Sequence, residues 1–160
     1  MSHIPEIVRK YLNKFSTGNR KIFCDDLSAI ANVIVIPAID EFQNIVSLLN
    51  SLSEMDGRYF SSSLFLFVIN NSAFSSDEIK AGNKSSIELI SKIISKINDK
   101  DYSSQIIKSN LRIALIDASS SGNELPEKDA GVGLARKIGM DAALKIFNYK
   151  STEKKIIDLH

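Results

Sequence analysis

The sequence lacks several residue types on which common functional sites depend. Among its 160 residues there is a single cysteine, Cys24, which excludes an internal disulfide and a cysteine-based metal site. Tryptophan is absent, which argues against a module built on stacked bases or sugars. The two histidines, His3 and His160, stand at opposite ends of the chain, and a Ser-His-Asp triad needs an ordered, buried histidine.

Strong charge and long apolar runs are also missing. The formal net charge is +1, so the overall balance predicts neither a nucleic-acid partner nor an anionic membrane. No apolar run reaches the roughly 18 residues of a membrane span, and the N-terminus has no signal-peptide core. We therefore expect a cytoplasmic protein without a transmembrane segment. Residues 5–15 have the spacing of an amphipathic helix; packing on the main body is the favoured interpretation, and membrane-surface binding is the alternative, weakened by its small charge.

The apolar residues that are present follow an alternating pattern of strands and helices. Continuous β-branched runs such as "NVIVIP" are typical of strands buried on both faces of a parallel sheet. Such alternation predicts an α/β fold, a Rossmann-like three-layer sandwich with a mostly parallel sheet. We expect one domain over 1–160, with a helical extension at 1–30 and a βα core at 31–160. The expected strands are 32–37, 63–70, 111–118 and 153–160, and the expected helices are 5–15, 43–55, 83–98 and 134–147.

In such sheets ligands bind beyond the carboxyl ends of the strands, which here read "PAIDE", "NNSAF", "DASSSG" and "DLH". Two common nucleotide motifs do not fit. The "GVGLARKIG" stretch has Arg136 where a dinucleotide fingerprint needs its third glycine, and no G-x-x-x-x-G-K-[ST] loop exists. A nucleotidyltransferase is a weak alternative, because "PAIDEF" lacks a glycine-rich loop after the first core strand.

Three motifs together are more specific. The sequence reads "VIPAIDEF", then "VINNS", then "GVGLARKIG", in that order over residues 33–147. This set resembles the nucleotide-binding half of family 2 glycosyltransferases, which have the GT-A fold. In that family a strand reads V-I-P-x-x-N/D-E, a second strand ends in D-D/N-x-S, and a helix opens with G-x-x-x-A-R-N/K-x-G.

The resemblance implies a role for each motif in binding a nucleotide-diphospho-sugar. The loop after the first core strand would line the base and ribose pocket through Pro37, Ala38, Asp40 and Glu41. The base edge would be contacted by Asn70 and Asn71, where the family more often has aspartate; an amide offers both a donor and an acceptor, which leaves the base open.

The diphosphate would lie at the start of the last helix. Arg136 offers a fork suited to phosphate oxygens, and Gly131 and Gly133 would let the backbone approach. Simpler interpretations remain for two of these groups. Arg136 is also interpretable as a surface cation, and Asp40 and Glu41 as ordinary acids at a helix N-terminus.

The fourth core strand is where the family carries its D-x-D metal motif. Asp158 and His160 match a D-x-H variant, which would hold Mn²⁺ or Mg²⁺ on the diphosphate. Alternatively, His160 occupies the first aspartate position and the motif is incomplete, or the segment is a plain terminal strand.

The resemblance implies an enzyme that transfers a sugar to an acceptor hydroxyl with inversion, the acceptor being an undefined glycan or lipid. The acceptor half and its base are missing from the pattern, so the chain would be an apparently truncated, donor-binding part. The alternative is a truncated, non-catalytic nucleotide-binding or interaction module. In either case the last strand would leave a sheet edge open, which predicts self-association through that edge.

Overall fold

The structure is a computed structural model that describes residues 4–97, 104–150 and 155–158. Two short 3₁₀ turns cover Gly57–Phe60 and Glu127–Asp129. In chain order the helices and strands are α1 (Glu6–Phe15), β1 (Phe23–Cys24), β2 (Asn32–Ala38), α2 (Phe42–Ser53), β3 (Ser63–Asn70), α3 (Asp77–Ile94), α4 (Ser104–Lys108), β4 (Ile113–Ala118), α5 (Val132–Ile146) and β5 (Lys155–Asp158).

The strands form one sheet in the order β1-β4-β3-β2-β5. Strands β2 to β5 run parallel, and only β1 is antiparallel, paired with β4. The expected α/β fold with a mostly parallel sheet is therefore confirmed. Strand β1 was not predicted and lies inside the 1–30 extension that was expected to be helical. Two residues are too few to show a periodicity in the sequence.

Both faces of the sheet are covered, as continuous apolar strands require. Alternate residues of β2 to β4 face α2, α3 and α4 on one side, and the intervening residues face α5 on the other. Every residue of β3, the central strand, is buried. On the α5 side the helix approaches closely at Gly139, where a Cβ would stand 2.3 Å from Val35 Cγ1. The glycine thus allows helix and sheet to touch.

Helix α1 packs outside α5 and is held by one buried carboxylate. Asp141, which is 2% exposed, accepts hydrogen bonds from Tyr11 Oη at 3.1 Å and from the backbone N–H of Thr17 at 3.0 Å. The Nζ atom of Lys137, one turn earlier in α5, lies 2.8 Å from the same carboxylate. In the described parts of the chain, no helix is both long and apolar enough to cross a membrane.

Helix α3 differs most from its expected range of 83–98. It begins at Asp77, because the Ser76 side chain accepts a hydrogen bond from the N–H of Ile79 and two acids follow in the first turn. It ends at Ile94, and Ile97, expected inside the helix, lies beyond it and is 56% exposed. The expectation followed apolar spacing alone and missed the cap.

Candidate nucleotide site

A pocket of about 320 Å³ opens at the carboxyl end of the central strands. The pocket lies where the order of the parallel strands reverses. From β2 the sheet continues through β3 and β4 on one side, and the chain then returns to add β5 on the other side of β2. In open α/β sheets this reversal point is where ligands bind. The end of β2, the loop after it, the end of β3 and the first turns of α5 line the pocket, through Pro37, Ala38, Ile39, Glu41, Asn70, Val132 and Arg136.

Five of the nine residues predicted to bind nucleotide line this one pocket. They come from three segments that are far apart in the sequence, and they are Pro37, Ala38, Glu41, Asn70 and Arg136. Two further lining residues, Ile39 and Val132, are exposed apolar side chains that the sequence interpretation did not include; they are 40% and 53% exposed. The pocket therefore combines apolar walls with one cation, one carboxylate and one amide.

Asp40 takes a different position from its predicted one. Its backbone has a φ of 56°, in the left-handed region that is uncommon for residues other than glycine. Its N–H donates to Asn83 Oδ1 at 2.9 Å, and its carboxylate lies against α3, where a Cβ on Gly82 would stand 2.1 Å from Asp40 Oδ1. Asp40 is not among the residues that line the pocket, so its visible role is to fix the loop after β2.

Glu41 stands at the start of α2, where its backbone carbonyl accepts from the N–H of Ile45. The side-chain amide of Asn44 donates to its carboxylate. The interpretation of Glu41 as a helix N-terminal acid and its placement in the pocket are therefore both compatible with the structure.

Asn70 ends β3 and is 1% exposed. Its amide nitrogen donates to the carbonyl oxygen of Ala38 at 3.0 Å, which joins the ends of β3 and β2. Its Oδ1 is buried and has no hydrogen-bond partner among the described residues. Since a buried acceptor without a partner is costly, this oxygen is the group of Asn70 that a ligand could satisfy.

Asn71 is also 1% exposed, but its hydrogen bonds are all made within the protein. Its amide nitrogen donates to the carbonyl oxygens of Ser72 at 2.9 Å and of Ser119 at 3.3 Å, and its Oδ1 accepts from Asn83 Nδ2 at 2.7 Å. Asn71 therefore ties the end of β3 to the segment after β4, and it is not a lining residue.

Asn83 is the residue that sequence reasoning missed. It is buried in α3, and its amide nitrogen also donates to the carbonyl oxygen of Asn70 at 3.0 Å. Asn83 thus contacts the loop after β2 and the two asparagines at the carboxyl end of β3, Asn70 and Asn71. The signal was present in the sequence, because Asn83 is four and seven residues before Ile87 and Ile90 and so shares the apolar face of the helix.

The N-terminus of α5 has the glycines that the resemblance assigned to the diphosphate. Gly131 has φ 156° and ψ −179°, a conformation essentially restricted to glycine, and no side chain caps the helix. A Cβ at Gly133 would meet nothing within 4 Å, so no protein contact explains that glycine. The two glycines do not line the pocket themselves, but they flank Val132, and Arg136 follows in the same helix.

Asp117, at the end of β4, lies outside the pocket. Burial raises the pKa of its carboxyl, but hydrogen bonds from Ser120, Ser119 and Asn123 together outweigh that effect and lower the pKa below its usual value. It lines a separate cavity of about 530 Å³ beside Arg20. That cavity is larger than the pocket at β2 and β3, but none of the residues matching the three motifs line it.

The described residues do not form a metal centre. They contain no group of three or more histidine, cysteine, aspartate or glutamate side chains placed to hold an ion. Among the lining residues of the pocket Glu41 is the single carboxylate. The backbone of Asp158 pairs with Val35 in the sheet, but its side chain and the whole of His160 lie outside the described residues. The Mn²⁺ or Mg²⁺ expectation thus stays a prediction.

Comparisons of the chain with protein-family models, with curated proteins and with solved structures found no match. A function is therefore inferred from the fold, the pocket, the chemistry of its residues and the three sequence motifs.

Proposed function

We propose that the pocket binds a nucleotide-diphospho-sugar and that the chain is the donor-binding part of a glycosyltransferase with a GT-A fold. The observation that carries this proposal is the convergence of Glu41, Asn70 and Arg136 on one pocket at the strand-order reversal. These side chains come from three motifs that are separated in the sequence but were assigned to one ligand.

The diphosphate is the part of the ligand that Arg136 recognises. A guanidinium binds phosphate oxygens through paired N–H groups, and such charge-assisted bonds are stronger than neutral ones. The N-terminus of α5, with Gly131 and Gly133 and no side-chain cap, offers backbone N–H groups to the same anion. Arg136 therefore anchors the charged end of the ligand.

The nucleoside occupies the strand-end side of the pocket. Glu41 accepts hydrogen bonds from ribose hydroxyls, and Ile39 and Val132 contact the flat faces of the ligand. Because the amide nitrogen of Asn70 is engaged with Ala38, Asn70 offers the base only an acceptor. The base must then present an N–H group, as uracil does with its N3–H and guanine with its N1–H.

In the proposed reaction the bond between the anomeric carbon and the diphosphate breaks and a bond to the acceptor hydroxyl forms on the opposite face. The hydroxyl proton passes to a base, and the diphosphate leaves with the bonding electrons. We assign donor binding to this chain and assign no residue as the base. Mn²⁺ or Mg²⁺ would neutralise the leaving diphosphate, and no step here depends on it.

The test is a calorimetric titration of the folded chain with UDP and with GDP, each with and without Mn²⁺. Uridine and guanosine serve as ligands without phosphate. We expect one nucleotide diphosphate to bind, and Arg136→Gln to weaken it about ten-fold or more, with little effect on the nucleoside. Arg58→Gln, which changes an exposed arginine outside the pocket, is the matched control.

The outcomes separate the two functional alternatives. Metal-dependent binding supports the glycosyltransferase donor site. Metal-independent binding that is still lost in Arg136→Gln supports the non-catalytic nucleotide-binding module. A folded chain that binds neither nucleotide, or an Arg58→Gln effect as large as that of Arg136→Gln, would contradict a nucleotide site in this pocket.

A further inference from the structure

The net charge of the chain hides a strong local asymmetry. Residues 7–24 hold five of the 20 lysine and arginine side chains and none of the 19 aspartates and glutamates. The rest of the chain is therefore net negative. Three of these five cations, Arg9, Lys10 and Lys14, stand on the ten-residue helix α1.

The same helix exposes apolar side chains. Ile7 is 78% exposed, Phe15 is 52% exposed and Tyr11 is 38% exposed. Their spacing of four residues places them on one flank of α1, and Lys10 and Lys14 follow Ile7 by three and seven residues, so they border that flank. The Nζ atom of Lys14 lies 5.0 Å from the ring centroid of Phe15. Apolar groups and cations are thus interleaved on one exposed surface.

The exposed surface is held in place by the protein. The Oη atom of Tyr11 bonds to buried Asp141, and the Nζ atom of Lys137 donates to the carbonyl oxygen of Phe15 at 2.7 Å. Lys137 Nζ also lies 5.5 Å from the Tyr11 ring centroid, which adds a cation beside the helix. Because α1 is fixed to α5, its exposed side needs no refolding before it meets a partner.

We propose that this side of α1 docks on the surface of a membrane that contains anionic phospholipids. Ile7 and Phe15 enter the boundary between headgroups and acyl chains, and Lys10 and Lys14 lie at the level of the phosphates. A helix with cations bordering an apolar flank is the known form of an interfacial, non-spanning helix. The binding is independent of the nucleotide pocket.

The interleaving decides between a lipid surface and other anionic partners. A nucleic acid would pair with Lys10 and Lys14 through its phosphates and would give Ile7 no apolar environment. A membrane interface satisfies both kinds of side chain. Helix α1 carries one acid, Glu6, which pairs with Lys10 at 2.9 Å, so its three cations still leave it net positive. The small overall charge is no objection, since surface attraction acts within a Debye length.

The experiment is co-sedimentation of the purified chain with vesicles of phosphatidylcholine alone or of phosphatidylcholine mixed with phosphatidylserine. We expect binding to the mixed vesicles only. Lys14→Gln should weaken it about five-fold, and Ile7→Ser about ten-fold or more. The controls change exposed groups elsewhere: Lys84→Gln on α3 and Met55→Ser after α2, which should bind as the unchanged chain does.

Each other result overturns the proposal. Equal binding to both vesicle types would remove the anionic requirement, and no binding by a chain that circular dichroism shows to be folded would remove the membrane. An Ile7→Ser chain that binds fully would exclude docking through α1. If light scattering shows a dimer that Ile7→Ser dissociates, or if an RNA oligonucleotide binds with Ile7 irrelevant, that partner replaces the membrane.

Discussion

The Oδ1 atom of Asn83 accepts a hydrogen bond from the backbone N–H of Asp40 at 2.9 Å. This contact joins the middle of a helix to a loop more than forty positions earlier in the sequence, and it supports the positive φ of Asp40. Through its amide nitrogen the same side chain holds Asn70 and Asn71. One buried asparagine thus fixes the two segments that form the strand-end side of the pocket.

Replacing Asn83 with alanine should therefore damage both stability and binding. The substitution removes a buried hydrogen-bond partner from the Asn70 carbonyl and from Asn71 Oδ1, and a part-buried one from the Asp40 N–H. We expect a loss of about 2 kcal/mol or more in the free energy of unfolding, measured by urea denaturation. We also expect weaker nucleotide binding by calorimetry.

Asn50→Ala, on the exposed face of α2, is the control and should change the free energy of unfolding by less than about 0.5 kcal/mol. Asn83→Asp keeps the acceptor for Asp40 but sets a buried carboxylate against the Asn70 carbonyl and Asn71 Oδ1, so it should be at least as destabilising as Asn83→Ala. If Asn83→Ala is as stable as the unchanged chain, the network does not hold the loop.

Strands β2 to β5 and helices α1, α2, α3 and α5 were predictable from sequence because they depend on local patterns, whereas the short helix α4 was not predicted. A strand such as β3, buried at every position, gives a continuous apolar run, and each covering helix repeats at helical spacing. The placement of Asn70 at the strand-end edge followed from the rule that parallel strands end at one edge, whereas that of Arg136 beside it came from the resemblance of the three motifs. The roles of single residues could not be predicted. In the sequence, the carboxylate of Asp40 and the amide of Asn71 are as suitable for binding a ligand as the groups of Glu41 and Asn70.

What separated ligand-facing from structural residues was contact across elements. The carboxylate of Asp40 lies against Gly82. The side chain of Asn71 is hydrogen-bonded to Ser72, Ser119 and Asn83. Neither relation has a signature in a local window. Strand β1 was also missed. Its two residues are too few to show a periodicity, and its position depends on pairing with β4.

Two glycines of α5 should respond oppositely to alanine. At Gly139 a Cβ would stand 2.3 Å from Val35 Cγ1 and 3.1 Å from Val68 Cγ2, so the helix must move off the sheet. We expect a loss of about 1–3 kcal/mol in the free energy of unfolding. A Cβ added at Gly133 would have no atom within 4 Å, so alanine should raise helix stability by about 0.5–1 kcal/mol.

The two glycine variants also test the ligand site, because urea denaturation measures the free energy of unfolding and calorimetry measures nucleotide affinity. If a diphosphate approaches the backbone at the start of α5, Gly133→Ala should bind nucleotide more weakly although it is more stable. A Gly133→Ala chain with unchanged affinity would show that the ligand does not approach that turn. A Gly139→Ala chain of unchanged stability would show that α5 does not need its close contact with β2.

Asp117 should make stability depend on pH in the acid range. Its pKa is lower in the folded chain than the ordinary value of 3.8, with burial opposing and the hydrogen bonds from Ser120, Ser119 and Asn123 prevailing. The ionised carboxylate therefore stabilises the fold above pH 3.8, and this contribution is lost as the pH falls from there through the folded pKa.

The measurement is the difference in free energy of unfolding between the unchanged chain and Asp117→Asn as the pH is lowered. The difference should be constant near neutrality and should shrink below about pH 4. Asp129→Asn, which removes an exposed carboxylate at the end of a 3₁₀ turn, is the control for the loss of one acid. A difference that grows as the pH falls would reverse the sign of the inferred pKa shift.

Asp141 should control whether α1 stays on the body of the protein. Replacing this buried carboxylate with alanine removes the acceptor for Tyr11 and Thr17 and leaves Lys137 without its anion. Breaking a buried ion pair by removing one partner typically costs about 3–5 kcal/mol. The partly exposed ammonium of Lys137 can regain water, so we expect the low end of that range, about 3 kcal/mol.

The loss should be local as well as global. Trypsin cleaves after lysine and arginine, and Arg9, Lys10 and Lys14 all lie on α1, so Asp141→Ala should be cut in α1 faster than the unchanged chain, at a protease concentration too low to digest the core. Mass spectrometry of the first fragments identifies the cut. Cleavage that begins instead within β2 to β4 would mean that the whole domain opens together, and that Asp141 stabilises the core and not the docking of α1.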